Sequence, residues 1–486
     1  MLMLAHKLGD WRGGSGPLYA RLADALRAAI QRGDLAAGSR LPSERVLVRR
    51  LAVSRTTVVQ ALALLRDLGL VESVRGSGTS VSRRAGPHWA AGVREAPARS
   101  ALADHVFRTA TEAAADAIGF LAATFPADDT SIAADWRSIA DELPELLAGN
   151  GYSPTGAPAL RDAIAAHCAR WGVPTTPEQI LVTSGAQQAV HLLAAFFVRA
   201  GHAVALEEPT YLGAIDAFAA AGARLVSFPV GPAGLDVELV RRGLTRAAPS
   251  LLYVMPTSQN PTGSVLSEST RLALAALAEE TGVPIVEDHT LSDLAFGPTP
   301  PPIAAFTTRG TVLLVGSMSK VFWGGLRVGW VRGPQPLIER LARLKIACDL
   351  GGSAPMHALA TRLLRRADEF IASRRRRARA GYEHLAAELA RRLPAWTWER
   401  PHGGLCLWAQ LPSGKSTDFA VVAASHGVAV VPGTAHSPSG DDRGRLRLPF
   451  VLPHDQLSEG VARLSRAWAE FTRQSVPAER RLGVVV

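Results

Sequence analysis

At 486 residues the chain exceeds what one hydrophobic core supports, about 250–300 residues, so more than one domain is expected. Its 47% hydrophobic and 20% charged content is that of an ordinary globular protein and excludes a disordered or fibrous one. The net charge of +10 is uneven, with 14 Lys/Arg against 6 Asp/Glu in the first 84 residues and 39 against 37 in the rest, so a small basic module with a polyanion partner precedes a nearly neutral large one.

Pro17 opens the first predicted helix, with Leu18, Leu22, Ala25, Leu26, Ala29 and Ile30 on one stripe; Gly33 and Gly38 then turn the chain. Ser43 caps a second helix with Val46, Leu47 and Leu51 inward. Ser54 caps a third, whose inner face is Val58, Ala61, Leu62 and Leu65 and whose first turn offers Arg55, Thr56 and Thr57. Two short helices with a tight turn between them, the second presenting Arg and hydroxyls at its start, fit a helix-turn-helix. Helix N-termini favour phosphate, and Arg pairs bidentately with guanine. Next, the apolar runs 70–74 and 79–81 flank Arg75-Gly76-Ser77-Gly78, a hairpin with a basic tip suited to backbone or minor-groove contact.

The segments Leu41-Pro42-Ser43-Glu44-Arg45, Val53-Ser54-Arg55-Thr56-Thr57-Val58 and Arg75-Gly76-Ser77-Gly78-Thr79 resemble the winged helix-turn-helix of GntR-family bacterial regulators. The resemblance implies operator DNA as a partner. It implies contacts from Ser43, Arg45, Arg55, Thr56, Thr57, Arg75 and Gly76. This module is expected over residues 16–84, followed by a Pro/Gly/Ala/Arg-rich linker over 85–115 in which 101–117 is a candidate helix.

From residue 116 short apolar runs alternate with helical ones, which predicts an α/β layered domain with a mainly parallel sheet and ligands at the strands' carboxyl ends. Polar motifs follow those runs. After Ile180-Leu181-Val182-Thr183 comes Ser184-Gly185-Ala186-Gln187, a turn opening a helix and able to cradle phosphate. After Ala203-Val204-Ala205-Leu206 comes Tyr211, an aromatic that can stack on a ring. After Leu251-Leu252-Tyr253-Val254 comes Asn260, in an Asn-Pro pair open to the cis form. After Pro284-Ile285-Val286 comes Asp288, suited to keeping a pyridine nitrogen protonated. The run 311–315 leads into Ser317-Met318-Ser319-Lys320, with Arg327 beyond. Lys320 is one of only four lysines, with Lys7, Lys345 and Lys415. A lysine between hydroxyls and an arginine suits covalent attachment of an aldehyde cofactor that carries a phosphate.

This constellation resembles the fold-type I aminotransferases that depend on pyridoxal 5′-phosphate. By that resemblance Lys320 carries the cofactor, Asp288 pairs with the pyridine nitrogen, Asn260 with the phenolic oxygen, and Tyr211 stacks on the ring. Ser184, Gly185, Ala186, Gln187, Ser317, Ser319 and Arg327 would bind the phosphate, with Tyr152 reaching the phosphate of a partner subunit. Arg447, or Arg445 in its place, would grip a substrate carboxylate. One departure stands out. Thr290 and Leu291 occupy the positions where the family usually has a tyrosine that tunes the cofactor, which puts efficient transamination in question; His289 is a candidate substitute, although a histidine at such a place is more often a hydrogen-bonded structural residue.

The arginines 374–377 and Arg379 form a run on a predicted helix, read as a solvated face, with an accessory DNA contact as the alternative. Cys168, Cys348 and Cys406 are too few and too scattered for a disulfide framework or a zinc site. No metal cluster, membrane span or secretory signal is expected, and the cytoplasm is the expected compartment. The two modules in this order resemble MocR/GabR-type transcriptional regulators: a multidomain chain with an α+β winged helix-turn-helix and an α/β fold-type I aminotransferase-like domain over 116–486. The large part of that domain is expected at about 165–375, with a smaller α+β subdomain from the flanks. The resemblance implies a cytoplasmic, head-to-tail homodimer whose aminotransferase-like domain senses an amine or amino acid, or the cofactor itself. A working aminotransferase with an appended DNA-binding module is the alternative.

Overall fold

The computed structural model describes residues 11, 17–31, 35, 39–51, 53–68, 70–74, 78–82, 117–127, 129–231, 234–307 and 309–475. The chain divides into two compact units that part between Ala98 and Arg99. The candidate helix at 101–117, except Ala117, which is not helical, lies outside the described residues, as do the linker and the wing tip with Arg75 and Gly76.

The first unit holds α1 (Leu18–Gln31), α2 (Glu44–Leu51), α3 (Arg55–Asp67), β1 (Val71–Val74) and β2 (Gly78–Val81). Leu22, Leu26, Ala29 and Ile30 of α1 meet Leu47 and Leu51 of α2 and Val58, Ala61, Leu62 and Leu65 of α3 in one small core. The expected inward Val46 is only half-buried; Val48 packs against that core instead, because Leu47, Val48 and Leu51 share one helical stripe. Ser54 caps α3, its Oγ accepting from the Thr57 amide at 3.1 Å. β1 and β2 pair antiparallel, and the Leu41 and Val81 amides donate to the Thr79 and Ser39 carbonyls, so the chain before α2 extends the wing sheet.

The second unit begins at β3 (Ile118–Phe120), followed by α4 (Asp129–Leu147), α5 (Pro158–Arg170), β4 (Ile180–Thr183), α6 (Ala186–Phe197), β5 (Ala203–Glu208) and α7 (Leu212–Ala220). Then come β6 (Arg224–Gly231), β7 (Gly234–Leu235), α8 (Val237–Ala247), β8 (Leu252–Val254), α9 (Glu268–Thr281), β9 (Ile285–Asp288), β10 (Val312–Ser317) and β11 (Gly329–Arg332). The large sheet runs β4-β11-β10-β9-β8-β5-β6-β7. Its middle pairings, from β10 through β9, β8 and β5 to β6, are parallel, and β11 and β7 run against their neighbours. The central strands read as unbroken apolar runs because helices cover both faces.

Helices α10 (Gln335–Asp349), α11 (Ala354–Arg365) and the long α12 (Ala367–Arg392) lead to the small part. It comprises β12 (Thr397–Trp398), β13 (Cys406–Gln410), α13 (Ser416–Ser425), β14 (Val428–Pro432), β15 (Arg445–Pro449) and α14 (His454–Ser475). Its sheet, β12-β13-β15-β14-β3, takes its last strand from the start of the unit, parallel to β14. The arginine run on α12 is an exposed face, as expected, apart from Arg374. Arg374 is buried, Arg375 donates to the Asp293 carbonyl, Arg379 to the Phe296 carbonyl, and Arg377 lies 4.9 Å over the Phe125 ring. Guanidiniums supply several donors, so even the exposed Arg375 and Arg379 reach the carbonyl ends of neighbouring loops.

Candidate functional site

The carboxyl ends of β9 and β10, the start of α6 and the face of β15 converge on a cavity of about 430 Å³. Lys320, Asp288, Asn260, Tyr211, Ala186, Gln187, Ser317, Ser319, Arg327 and Arg447 all line it. Ser184 and Gly185 stand just behind the wall. The Ser184 amide donates to Gln188 Oε1 at 2.8 Å and its carbonyl accepts from Arg327 Nη2 at 2.6 Å. Gly185 has a positive φ of 100°, and a Cβ there would lie 2.9 Å from that same Nη2, so glycine lets the guanidinium lie against the loop. The start of α6, whose first amides have no partner within the helix, shares this cavity wall with Arg327, Ser317 and Ser319, an arrangement suited to an anion. Gln187 is engaged sideways, accepting from Tyr211 Oη at 2.9 Å and donating to the Gly213 carbonyl at 2.8 Å.

Asp288 ends β9 and is buried. Its Oδ1 accepts the Thr290 amide at 2.8 Å and its Oδ2 accepts the hydroxyl of Tyr253 at 2.6 Å. Burial, with the Asp288 charge, pushes the Tyr253 hydroxyl well above its ordinary pKa, so Tyr253 stays a donor. Tyr253 was not singled out from the sequence, although the signal was there: it is the one residue with a polar atom on its side chain in the buried run 251–254. Asn260 sits at a cis Asn-Pro bond, and its Oδ1, like the Thr290 hydroxyl oxygen, is buried without a hydrogen-bond partner.

Lys320 donates from Nζ to the Ala123 carbonyl at 2.9 Å. Burial first, then the Arg447 charge, lowers its amine from the usual 10.5 to about 8, which favours the free amine a nucleophile needs. Arg447, on β15, is 4% exposed; its Nη2 donates to the Leu121 carbonyl while Nε has no partner. The extended segment after β3 thus supplies acceptors to both cations through alternate carbonyls. No side chain announces that contribution, and the sequence could not disclose it.

Three expected residues lie elsewhere. Arg445, two positions before Arg447, lines a separate cleft with Glu208, Glu399 and Arg443, about 7 Å further along the strand. His289 does not take the tyrosine's place: its Nε2 is 2.9 Å from Glu287 Oε1, on the opposite side of the strand from Asp288, and it lines another cavity beside Trp171. Tyr152 is 64% exposed and is absent from the cavity wall. In the first unit Ser43, Arg45, Arg55 and Thr56 are exposed, to differing degrees, at the starts of α2 and α3, whereas Thr57 is half-buried with its hydroxyl 2.8 Å from Ser54 Oγ.

The cavity fits pyridoxal 5′-phosphate on its donor set: a nucleophilic amine, a buried carboxylate already holding its own donor, an unpartnered amide oxygen, and an anion cradle at the far end. Among the described residues no group of His, Cys, Asp and Glu is placed to hold a metal ion, and no helix is long and apolar enough to cross a membrane.

Residues 126–464 match the family described as aminotransferase class I and II, and residues 18–81 match the bacterial regulatory proteins of the gntR family. The chain is 30% identical over 461 residues to the uncharacterized HTH-type transcriptional regulator YisV of Bacillus subtilis, covering 89% of this chain and 92% of that one. It is 32% identical over 340 residues to the probable rhizopine catabolism regulatory protein MocR of Rhizobium meliloti, 68% of each. Among solved structures it is similar to LysN, an alpha-aminoadipate aminotransferase from Thermus thermophilus complexed with N-(5′-phosphopyridoxyl)-L-leucine. The TM-score is 0.72 at 28% identity, over 79% of this chain and 99% of that one.

Proposed function

Since the chain belongs to the aminotransferase class I and II family and carries a gntR-family DNA-binding domain ahead of it, like the HTH-type regulators it matches over most of their length, we propose that it is a transcriptional regulator whose second unit binds pyridoxal 5′-phosphate and senses an amino compound or the cofactor itself. The observation that carries this reading is the single cavity holding Lys320, Asp288, Asn260, Arg327 and Arg447 together. When bound, the cofactor supplies an aldehyde that takes up amines and a ring that absorbs visible light. Lys320 is its attachment point, Asp288 holds the ring nitrogen's proton, and Tyr253 holds Asp288. Ala186, Gln187, Ser317, Ser319 and Arg327, with Ser184 and Gly185 behind them, form the phosphate cradle. Arg447 receives the effector's carboxylate, which is a stronger acceptor for a guanidinium than the Leu121 carbonyl it now holds.

Thr290 and Leu291 line the wall where a tyrosine would tune the cofactor, which favours capture of an amine over repeated amino transfer. Tyr152 serves a second subunit in a head-to-tail homodimer. It is exposed, and its neighbour Ser153 adjoins Gly351, beside the exposed side chains of Ile346 and Leu350. In the cytoplasm the first unit reads operator DNA through Ser43, Arg45, Arg55, Thr56 and Thr57, with Arg75 and Gly76 at the wing.

Borohydride reduction of the purified full chain, followed by peptide mass spectrometry, tests the reading. The expected result is reduced pyridoxal phosphate on the Lys320 peptide and none in Lys320→Ala. A colourless chain that stays unmodified after incubation with pyridoxal phosphate overturns the sensor reading, whatever the DNA-binding unit does.

A further inference from the structure

Arg374 is 2% exposed, although it belongs to a run that reads as surface. Its Nε donates to the Val321 carbonyl at 2.9 Å and its Nη2 to the Phe322 carbonyl at 3.0 Å, the two residues directly after Lys320. The same Nη2 donates to the Pro126 carbonyl at 2.8 Å, and the guanidinium lies 5.1 Å from the centre of the Phe125 ring. Residues 125 and 126 follow Ala123, whose carbonyl accepts from Lys320 Nζ, and Thr124 Oγ1 donates to the Ser319 carbonyl at 3.3 Å. One planar group on α12 therefore grips both segments that fix the lysine: the loop that carries it and the strand of chain that offers its acceptor.

We propose that Arg374 is a positioning residue for Lys320, setting the depth and direction of its amine by clamping residues 321–322 to residues 125–126. A rigid fork is suited to this because its donors lie in one plane at fixed angles, whereas an ammonium on a flexible stem holds one segment at a time. The groups that act on the Lys320 amine come from other elements: Arg447 on β15, Cys406 on β13, Asp288 on β9, and Arg327 beyond the lysine's own loop. Arg374 acts by keeping the amine among them and away from water.

The scarcity of lysine makes a direct test practical. Trace labelling of the cofactor-free full chain with acetic anhydride across pH 6–11, read by mass spectrometry, follows Lys320 against the exposed Lys415 as internal reference. In the wild type the Lys320 midpoint is expected near 8. In Arg374→Met it rises by a unit or more, so that labelling of Lys320 at pH 7 slows about tenfold relative to Lys415. Arg374→Lys keeps the charge and loses the fork, and its midpoint rises in the same direction, which separates geometry from charge. Should Arg374→Met fail to fold, Arg374→Lys decides alone. Unchanged midpoints, with a lowered melting temperature only, overturn the proposal, as does a wild-type midpoint above 10. The role given to Arg374 rests on the site proposed above, but its readout needs no cofactor. Failure of the cofactor reading leaves no adduct on Lys320, whereas failure of this one leaves the labelling midpoint unmoved.

Discussion

Strand β9 places ionisable residues in consecutive positions and sends them to opposite fates. On one side Glu287 accepts the amides of Ile303 at 2.9 Å and Ala304 at 3.2 Å, and lies 2.9 Å from His289 Nε2. On the other, Asp288 faces a cavity in which Asn260 Oδ1, the Thr290 hydroxyl oxygen and Arg447 Nε have no partner. Both carboxylates are buried, so burial does not separate a structural acid from a functional one. Nor does bonding, since both oxygens of each are served; the surroundings do, because the donors to Glu287 are the amides of residues 303 and 304 and its own segment's His289, whereas Asp288 shares its cavity with the Lys320 amine, Arg447 and the Arg327 anion cradle.

The strongest way to break this contrast is to damage the Glu287 side. Glu287→Ala strips two buried amides and His289 of their acceptor and is expected to cost about 3–5 kcal/mol of stability, read by denaturant unfolding. A stable, cofactor-free variant would invert the comparison. Asp288→Asn on the other side is expected to leave the melting temperature nearly unchanged and to weaken pyridoxal phosphate binding by roughly 100-fold, about 2.7 kcal/mol, measured by absorbance titration.

Glu207 sharpens the comparison, being a third buried acid with only one oxygen served: Oε2 accepts from the Met255 amide and from Gln259, while Oε1 has no partner. Burial raises its carboxyl from 4.5 to about 7. The folded state therefore keeps a proton that the unfolded chain releases near 4.5, and the stability from this group is present below that pH and lost as pH rises through 7. Glu207→Gln should gain on the order of 1–2 kcal/mol at about pH 8 and almost nothing at about pH 4.5, by thermal melts at the two pH values. A gain at both would show that packing, not ionisation, is at issue. An effect of similar size belongs to Tyr253→Phe, which removes one donor from Asp288 and should weaken cofactor binding by roughly tenfold, about 1.4 kcal/mol, with the fold intact.

Much of this was legible beforehand. Polar motifs placed straight after apolar runs become strand ends, and parallel strands bring their carboxyl ends together, so Asp288, Asn260, Lys320 and Ala186 meet in one cavity. His289 was legible too, because alternation along an extended strand puts it with Glu287 and not with Asp288. Arg374 was not. Four arginines in succession erase the contrast from which a helical period is read, and only the packed carbonyls of residues 126, 321 and 322 single one of them out. The carbonyls of Leu121 and Ala123 were hidden for a different reason, since every residue has one. Arg447 was preferred to Arg445 on the resemblance alone; that they line different cavities one strand period apart is visible only once β13 and β14 fix the register of β15.

The alternation of β9 also constrains how this gene can vary. Substitutions along the strand change one contact at a time, but gaining or losing a single codon within 285–288 would exchange the two sides for every residue beyond it. A carboxylate would lose its cavity, and the partners of Glu287 would face the wrong acid. Residues 75–77 connect the two short antiparallel strands β1 and β2, and a connection between strands is the kind of place where length change is absorbed. Within lineages that keep this architecture, insertions and deletions should collect at the wing tip and be missing from β9, even where the two segments differ equally in their amino acids.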